Sequence, residues 1–218
     1  MKKLVLCAII VLVLLITSPG LSAASPPKIV ITEIMQNPAA VSDTNGEWFE
    51  LYNPTTEAVN LKDWVIKDDG SNSQTISSDL WISPGEYKVL CRNIVSASNG
   101  GVTCDYKYTG LLSNSADEII LMDGAIEIDA VRYDDGAAFP DPTGASMALK
   151  SPVLDNAIGL NWCTSKTPFG TGDLGTPGRA NDCTQSEEIP EFPSTALPVF
   201  VAGTGYLFIR RRRSGGSS

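Results

Sequence analysis

The sequence predicts an all-β antiparallel sandwich, bracketed by two segments that do not belong to its core. Three observations carry this. Short β-branched and aromatic runs recur along the middle of the chain, and clusters of Gly, Pro, Asn and Asp separate them at intervals of about ten residues. Continuous apolar stretches of any length lie at the two ends. Closely spaced short strands pair with near neighbours, whereas βαβ units would need helical periods between them, and the middle shows none.

In chain order, Lys2 and Lys3 precede a continuous apolar stretch from Leu4 to Ile16, which Ser18-Pro19-Gly20 breaks. Ser22-Ala23-Ala24 then supplies the small residues a signal peptidase requires, so residues 1–24 read as a signal peptide cleaved after Ala24, with Ala23 as the alternative. Cys7 lies inside the apolar stretch rather than after it, which suits a small hydrophobe of the leader and not a lipid-modified cysteine.

The strands follow. Lys28 to Met35 is rich in β-branched residues and ends at Asn37-Pro38. Asn45-Gly46 signals a turn before Glu47 to Pro54, where alternation sends Trp48, Glu50 and Tyr52 to one face and Glu47, Phe49 and Leu51 to the other. Trp64 to Lys67 runs into the turn Asp68-Asp69-Gly70, and Ser83-Pro84-Gly85 precedes a strand from Glu86 to Cys91. Glu118 to Met122 and Ile126 to Tyr133 flank Asp123-Gly124, a second hairpin signal. The stretch 133–182 is richer in Gly, Pro and Asp and reads as mostly loop.

Beyond residue 183 the pattern changes. Residues 184–193 form a linker ending in Pro190-Glu191-Phe192-Pro193; residues 194–213 carry an apolar run from Ala196 to Ile209 and then four arginines, Arg210 to Arg213; residues 214–218 are a Ser/Gly end. The apolar run would make a helix about 21 Å long, against about 30 Å of hydrocarbon. It is short for a permanent span and better suited to a transient stop, with the arginines held on the cytoplasmic side. The motif, the apolar run and the arginine cluster together resemble the PEF-CTERM sorting signals of archaeal surface proteins. That resemblance implies recognition by an archaeosortase-type enzyme, cleavage near the motif, and transfer to a lipid or surface acceptor. An ordinary short membrane anchor is the alternative.

The chain has 16 basic and 25 acidic residues, a net charge of −9. Removing 1–24 and 194–218 takes away Lys2, Lys3 and four arginines but no acid, leaving 10 basic against 25 acidic residues, or −15. So acidic a surface repels phosphate backbones, which excludes nucleic acid as a partner and suits solubility or cation binding. Four cysteines remain, Cys91, Cys104, Cys163 and Cys183, an even number that in an exported chain reads as disulfides. Three connectivities exist; sequence proximity favours Cys91–Cys104 and Cys163–Cys183. Zinc is disfavoured, with no CxxC pair and no histidine.

Several segments, taken in order, resemble the lamin tail domain: Ile31-Thr32-Glu33-Ile34-Met35-Gln36-Asn37-Pro38, Gly46-Glu47-Trp48-Phe49-Glu50-Leu51-Tyr52-Asn53-Pro54, Leu61-Lys62-Asp63-Trp64, Ile82-Ser83-Pro84-Gly85, Leu112-Ser113-Asn114-Ser115-Ala116-Asp117-Glu118-Ile119 and Gly175-Thr176-Pro177-Gly178. The resemblance covers residues 27–183 and implies a compact immunoglobulin-like β-sandwich used as a binding or attachment module, found on secreted and surface proteins of prokaryotes. The coiled-coil rod and nuclear localisation signal of the nuclear members have no counterpart here, so filament function does not carry over. Gly46, Gly85 and Gly178 are expected to permit turns, and Asn53 and Asn114 to close local ones.

Catalysis finds little support. Without histidine, Ser-His-Asp and Cys-His sites are excluded. Of the paired carboxylates, Glu47 and Glu50 face opposite sides of a strand, and Asp68-Asp69 and Asp134-Asp135 read as turn formers. Trp48, Trp64, Trp81 and Trp162 offer an aromatic platform or, for at least two of them, core packing. Calcium is the best small-ligand reading, with Asp134, Asp135 and Asp141 as candidate oxygen ligands; Asp43-Thr44-Asn45-Gly46 fails the EF-hand spacing because its twelfth position is Pro54. Solvated acidic turns are the competing account. The expected protein is therefore an exported, surface-anchored, non-catalytic module of the cell envelope that needs no cofactor, is processed by signal peptidase and an archaeosortase-type enzyme, and contacts an envelope lipid and a surface protein or glycan. The alternative is a secreted hydrolase or a calcium-dependent carbohydrate-binding protein using loop carboxylates.

Overall fold

The computed structural model describes residues 28–183; the leader, the Pro190–Pro193 motif, the apolar segment and the arginine cluster lie outside the described residues. Twelve strands are described: β1 (Val30–Met35), β2 (Trp48–Tyr52), β3 (Val59–Asn60), β4 (Val65–Lys67), β5 (Ser73–Thr75), β6 (Trp81–Ile82), β7 (Tyr87–Cys91), β8 (Tyr106–Lys107), β9 (Ala116–Asp123), β10 (Ile126–Asp134), β11 (Met147–Leu149) and β12 (Trp162–Thr164). A one-turn helix α1 (Asp43–Gly46) lies between β1 and β2, where Asn45-Gly46 signals a turn.

One sheet of six strands runs in the order β12-β11-β1-β2-β7-β8, a second of four runs β10-β9-β4-β5, and β3 pairs with β6 apart from both. All pairings are antiparallel except β7 with β8. The alternation of β2 sets the layering. Phe49 and Leu51 enter the main core with Ile34 and Leu90 of the same sheet, and meet Ile66, Ile119, Leu121, Val131 and Tyr133 of the other. Burial of this apolar surface is the main term holding the two layers together. The hairpin of β9 and β10 turns at Gly124, whose φ of +57° is a left-handed value that glycine adopts at little cost.

Both faces of β1 are covered, and all six of its residues are buried. A register shift between Ile31 and Glu33 breaks the ladder to β2, and there the Ile31 amide donates to Asp129 Oδ2 of β10 at 2.6 Å. Asn156 Nδ2 donates to the same oxygen at 2.7 Å and to the Ile31 carbonyl at 3.1 Å, so one carboxylate ties the two sheets and the 151–161 loop together. Burial pushes the Asp129 carboxyl above its usual range.

Cys91 is joined to Cys104 and Cys163 to Cys183, in each case the cysteines nearest in sequence. The loop-rich stretch after β10 contributes β11 and β12, which complete one side of the six-stranded sheet. Gly46 does not serve as a left-handed turn residue. It is buried, and a Cβ there would collide with Pro38 and Val41, so space is what the position requires. Gly85 (φ +73°) and Gly178 (φ +81°) do hold left-handed turns. Asn53 closes its turn by accepting from Thr55 N–H and donating to the Glu57 carbonyl. Asn114 instead reaches across the fold to Asp43 Oδ2 at 3.0 Å.

Candidate functional site

The residues that carry chemistry gather in three places. The first is a pair of acids under residues 165–182, which cross the outer face of the six-stranded sheet as a strap. Glu33 and Glu50 are cross-strand partners on β1 and β2, and both are fully buried. Glu33 accepts from the Ser146 and Ser165 hydroxyls, from the Thr176 amide at 2.8 Å and from the Thr176 hydroxyl at 2.8 Å. Glu50 accepts from the Thr32 hydroxyl at 2.8 Å and the Gly178 amide at 2.7 Å. Burial raises both carboxyls above their usual range, and the neighbouring Glu33 charge raises Glu50 further.

The second place is where the β1–β2 ladder ends. Glu47 Oε2 receives Arg92 Nη1 and the Leu112 amide, each at 3.1 Å, and the Tyr108 hydroxyl at 3.4 Å. Desolvation outweighs these contacts and raises the Glu47 carboxyl to about 7. Among the described residues its other oxygen has no hydrogen-bond partner, and neither do the two amide atoms of buried Gln36 or the indole nitrogen of Trp48. Such atoms are uncommon in protein interiors, and their grouping marks this end of the ladder as polar and incompletely paired.

The third is a groove of about 190 Å³ at the open side of the sandwich. Phe49, Ile66, Tyr108, Leu112 and Ile119 form its floor, and Lys67, Asp68, Asn72, Gln74, Thr109 and Glu118 its polar rim. Gln74 bridges the two sheets there. Its amide donates to the Lys107 carbonyl at 3.0 Å, and its carbonyl accepts from the Thr109 N–H at 2.6 Å. The groove can seat a small polar ligand, since an apolar floor under a polar rim both buries and orients its guest.

The candidate ligands named from sequence are placed as follows. Asp134 Oδ1 accepts from the Ala138 and Phe139 amides, both at 3.0 Å, and these bonds hold its carboxyl below the usual range. Asp135 occupies a left-handed turn at φ +58°, and Asp141 is exposed. Among the described residues, the ligand atoms of these three do not form a group within 4.8 Å of one another. Among the described residues, the group of three potential metal ligands within 4.8 Å of one another is Cys163, Asp182 and Cys183, and there both sulfurs are committed to a disulfide. Glu47 and Glu50 serve opposite faces, as their spacing requires. Trp48, Trp64 and Trp162 are buried, while Trp81 is 55% exposed on β6. The Glu33–Glu50 pair was not legible from sequence: its members lie 17 residues apart, and the register shift that sets them opposite each other has no sequence signature.

The lamin tail domain model matches residues 22–135, just over half of the chain. The chain belongs to the lamin tail domain family. The lamin tail domain is an immunoglobulin-like β-sandwich with binding and structural rather than enzymatic roles, and the all-β layers described above have that architecture. No curated protein matches the chain. The matched part of the lamin tail domain ends at Asp135, but β11, β12 and the strap belong to the same folded body, because β11 pairs with β1 and the strap donates to Glu33 and Glu50.

Proposed function

We propose that this lamin tail domain protein is an exported, surface-anchored, non-catalytic binding or structural module of the cell envelope. The observation that supports it most directly is the pair of disulfides, Cys91–Cys104 and Cys163–Cys183, in a chain whose ends carry an export-type leader and a Pro-Glu-Phe-Pro tail. Disulfides of this kind persist where the surroundings are oxidising. On this reading the leader is removed by signal peptidase, the tail is recognised at Pro190–Pro193 by an archaeosortase-type enzyme, and the domain is held at a lipid or envelope acceptor. A surface protein or glycan is the partner, and the groove beside Gln74 is the place to look for its contact.

Fractionation followed by mass spectrometry of the native protein tests the proposal. The expected species sits in the envelope fraction, begins after Ala24, has its four folded-domain cysteines oxidised and lacks Arg210–Arg213. An envelope species with an intact C-terminal peptide would replace the sorting signal with a plain anchor. A cytoplasmic species with an unprocessed leader would overturn the reading altogether.

A further inference from the structure

The strap is a thin structure to lie over so much buried polarity. It contains Gly170, Gly172, Gly175 and Gly178, and its aromatic contribution to the sheet is Phe169, packed edge-on against Trp48 at a centroid distance of 5.9 Å. Other ties hold its ends. Asp173 accepts from the Ala39 and Ala40 amides, Asp182 from the Lys166 and Thr167 amides, and Asn181 donates to the Thr32 and Leu149 carbonyls. Leu174 pairs with the backbone of Gly144 and Ser146 and the Thr171 amide donates to the Gly100 carbonyl, while Thr176 and Gly178 bond to the acid pair.

Among the described residues, no Lys or Arg side chain forms an ion pair with Glu33 or Glu50. From β1 and β2 the titratable groups on this face are the two acids themselves and Tyr52. From β7 it is Tyr87, whose hydroxyl is pushed up to about 12 by burial and then by the Glu50 charge, with Tyr52 stacked on it at 4.5 Å. The residue before β11 and the first residue of the strap contribute the neutral hydroxyls of Ser146 and Ser165. The strap supplies Thr176, Gly178 and the backbone amide of Arg179, whose side chain is exposed. Two ionised carboxylates in this setting would repel one another with no cation to offset them.

We propose that the strap is latched as long as the buried Glu33–Glu50 pair carries one proton, and that losing this proton releases residues 165–182 while the sandwich beneath stays folded. Glu33, with four donors aimed at it, is the natural carboxylate of the pair, and Glu50 the natural acid. Release is bounded, because the Cys163–Cys183 disulfide closes the strap into a covalent loop. It uncovers the face of the six-stranded sheet that carries Met35, Trp48 and Val89.

Amide exchange on the full chain between pH 5 and pH 10, corrected for the base-catalysed intrinsic rate, tests this. Peptides covering 165–182 should lose protection by at least about tenfold at a pH where those covering β2 and β9 remain protected. Glu50→Gln should keep the strap protected over the whole range, since a carboxamide can still accept from the Gly178 amide and donate to the Thr32 hydroxyl. Thr176→Val should weaken the strap equally at every pH. Strap and core peptides opening together at every pH would overturn the proposal even if Glu50→Gln failed to fold, and so would a Glu50→Gln strap that opens at the wild-type pH.

Discussion

The two faces of the six-stranded sheet are buried by different means. Toward the second sheet, β2 presents Phe49 and Leu51 to a core of aliphatic and aromatic side chains drawn from both layers. Toward the strap, the same strand presents Trp48 and Glu50, and the cover comes from a Gly-rich segment that follows β12. An apolar face is stabilised by area alone and tolerates many partners. A face containing acids is stabilised only if each oxygen finds a donor, so the strap must place Thr176 and Gly178 within hydrogen-bond reach. The core face should therefore govern whether the domain folds, and the strap face how tightly it stays closed.

The largest expected effect breaks the core side of that comparison. Phe49 is 1% exposed and packs edge-on against Tyr108 at 5.2 Å. Phe49→Ala should lower global stability by about 3–5 kcal/mol, measured by urea denaturation, through lost transfer energy and the cavity left behind. Exchange protection should fall in both sheets together. A loss confined to the strap would show that the two faces are not energetically distinct.

A pH series comes next in size. Glu33, Glu50 and Glu47 all have folded-state pKa values raised by burial, Glu47 to about 7. For a carboxyl raised on folding, the native state binds more protons than the unfolded chain, so stability falls as pH increases between the two values. That contribution is fully present below about 4.3, where unfolded glutamate is protonated, and is lost as pH climbs through 7 and beyond. Asp134, Asp182 and Glu86, whose values are lowered, act in the opposite sense but mainly below pH 4.3. The melting temperature should therefore be higher at pH 5 than at pH 8. Glu47→Gln should flatten the part of the slope near neutrality; an unchanged slope would remove Glu47 from this account.

Thr176→Val tests the strap side alone. The hydroxyl donates to Glu33 Oε2, and valine keeps the shape while leaving that oxygen short of a donor. The expected loss is about 1–3 kcal/mol, read first as faster exchange in residues 165–182. Equal losses in strap and core would merge the two faces into one cooperative unit.

The asymmetry also explains what could be read in advance. The β1, β2, β4, β7, β9 and β10 strands announce themselves through β-branched alternation and turn residues, and their hairpin signals at Asp68-Asp69-Gly70 and Asp123-Gly124 sit where the chain turns. The strands β5, β11 and β12 carry no such pattern: unlike β4, whose Val65 and Ile66 are β-branched, Ser73–Thr75, Met147–Leu149 and Trp162–Thr164 hold few β-branched residues and are placed by their neighbours' ladders. Alternation along β2 assigns Glu50 correctly to the face opposite Phe49, but does not say what covers that face. The sequence signal for the strap is only Gly, Pro and Asp richness, which marks a loop without saying what lies beneath it.

The smallest expected effect is a control on the whole argument. Lys62 and Asp79 form an ion pair at 3.9 Å with side chains 47% and 64% exposed. Such a pair gains little in water, costs side-chain entropy and is screened by salt. Lys62→Ala should change stability by no more than about 0.5 kcal/mol, with no difference between low and moderate ionic strength. The domain's acidity sharpens the point. With 25 acids against 10 bases in residues 25–193, removing a cation adds to the net repulsion, so a small salt-dependent loss would report long-range charge and not the pair. Replacing Asp79 instead removes an acid and should move stability in the opposite direction under that long-range account. If both changes destabilise by a similar amount, the pair itself is stabilising, and exposed charge would then have to be weighed beside the buried acids in explaining the pH dependence.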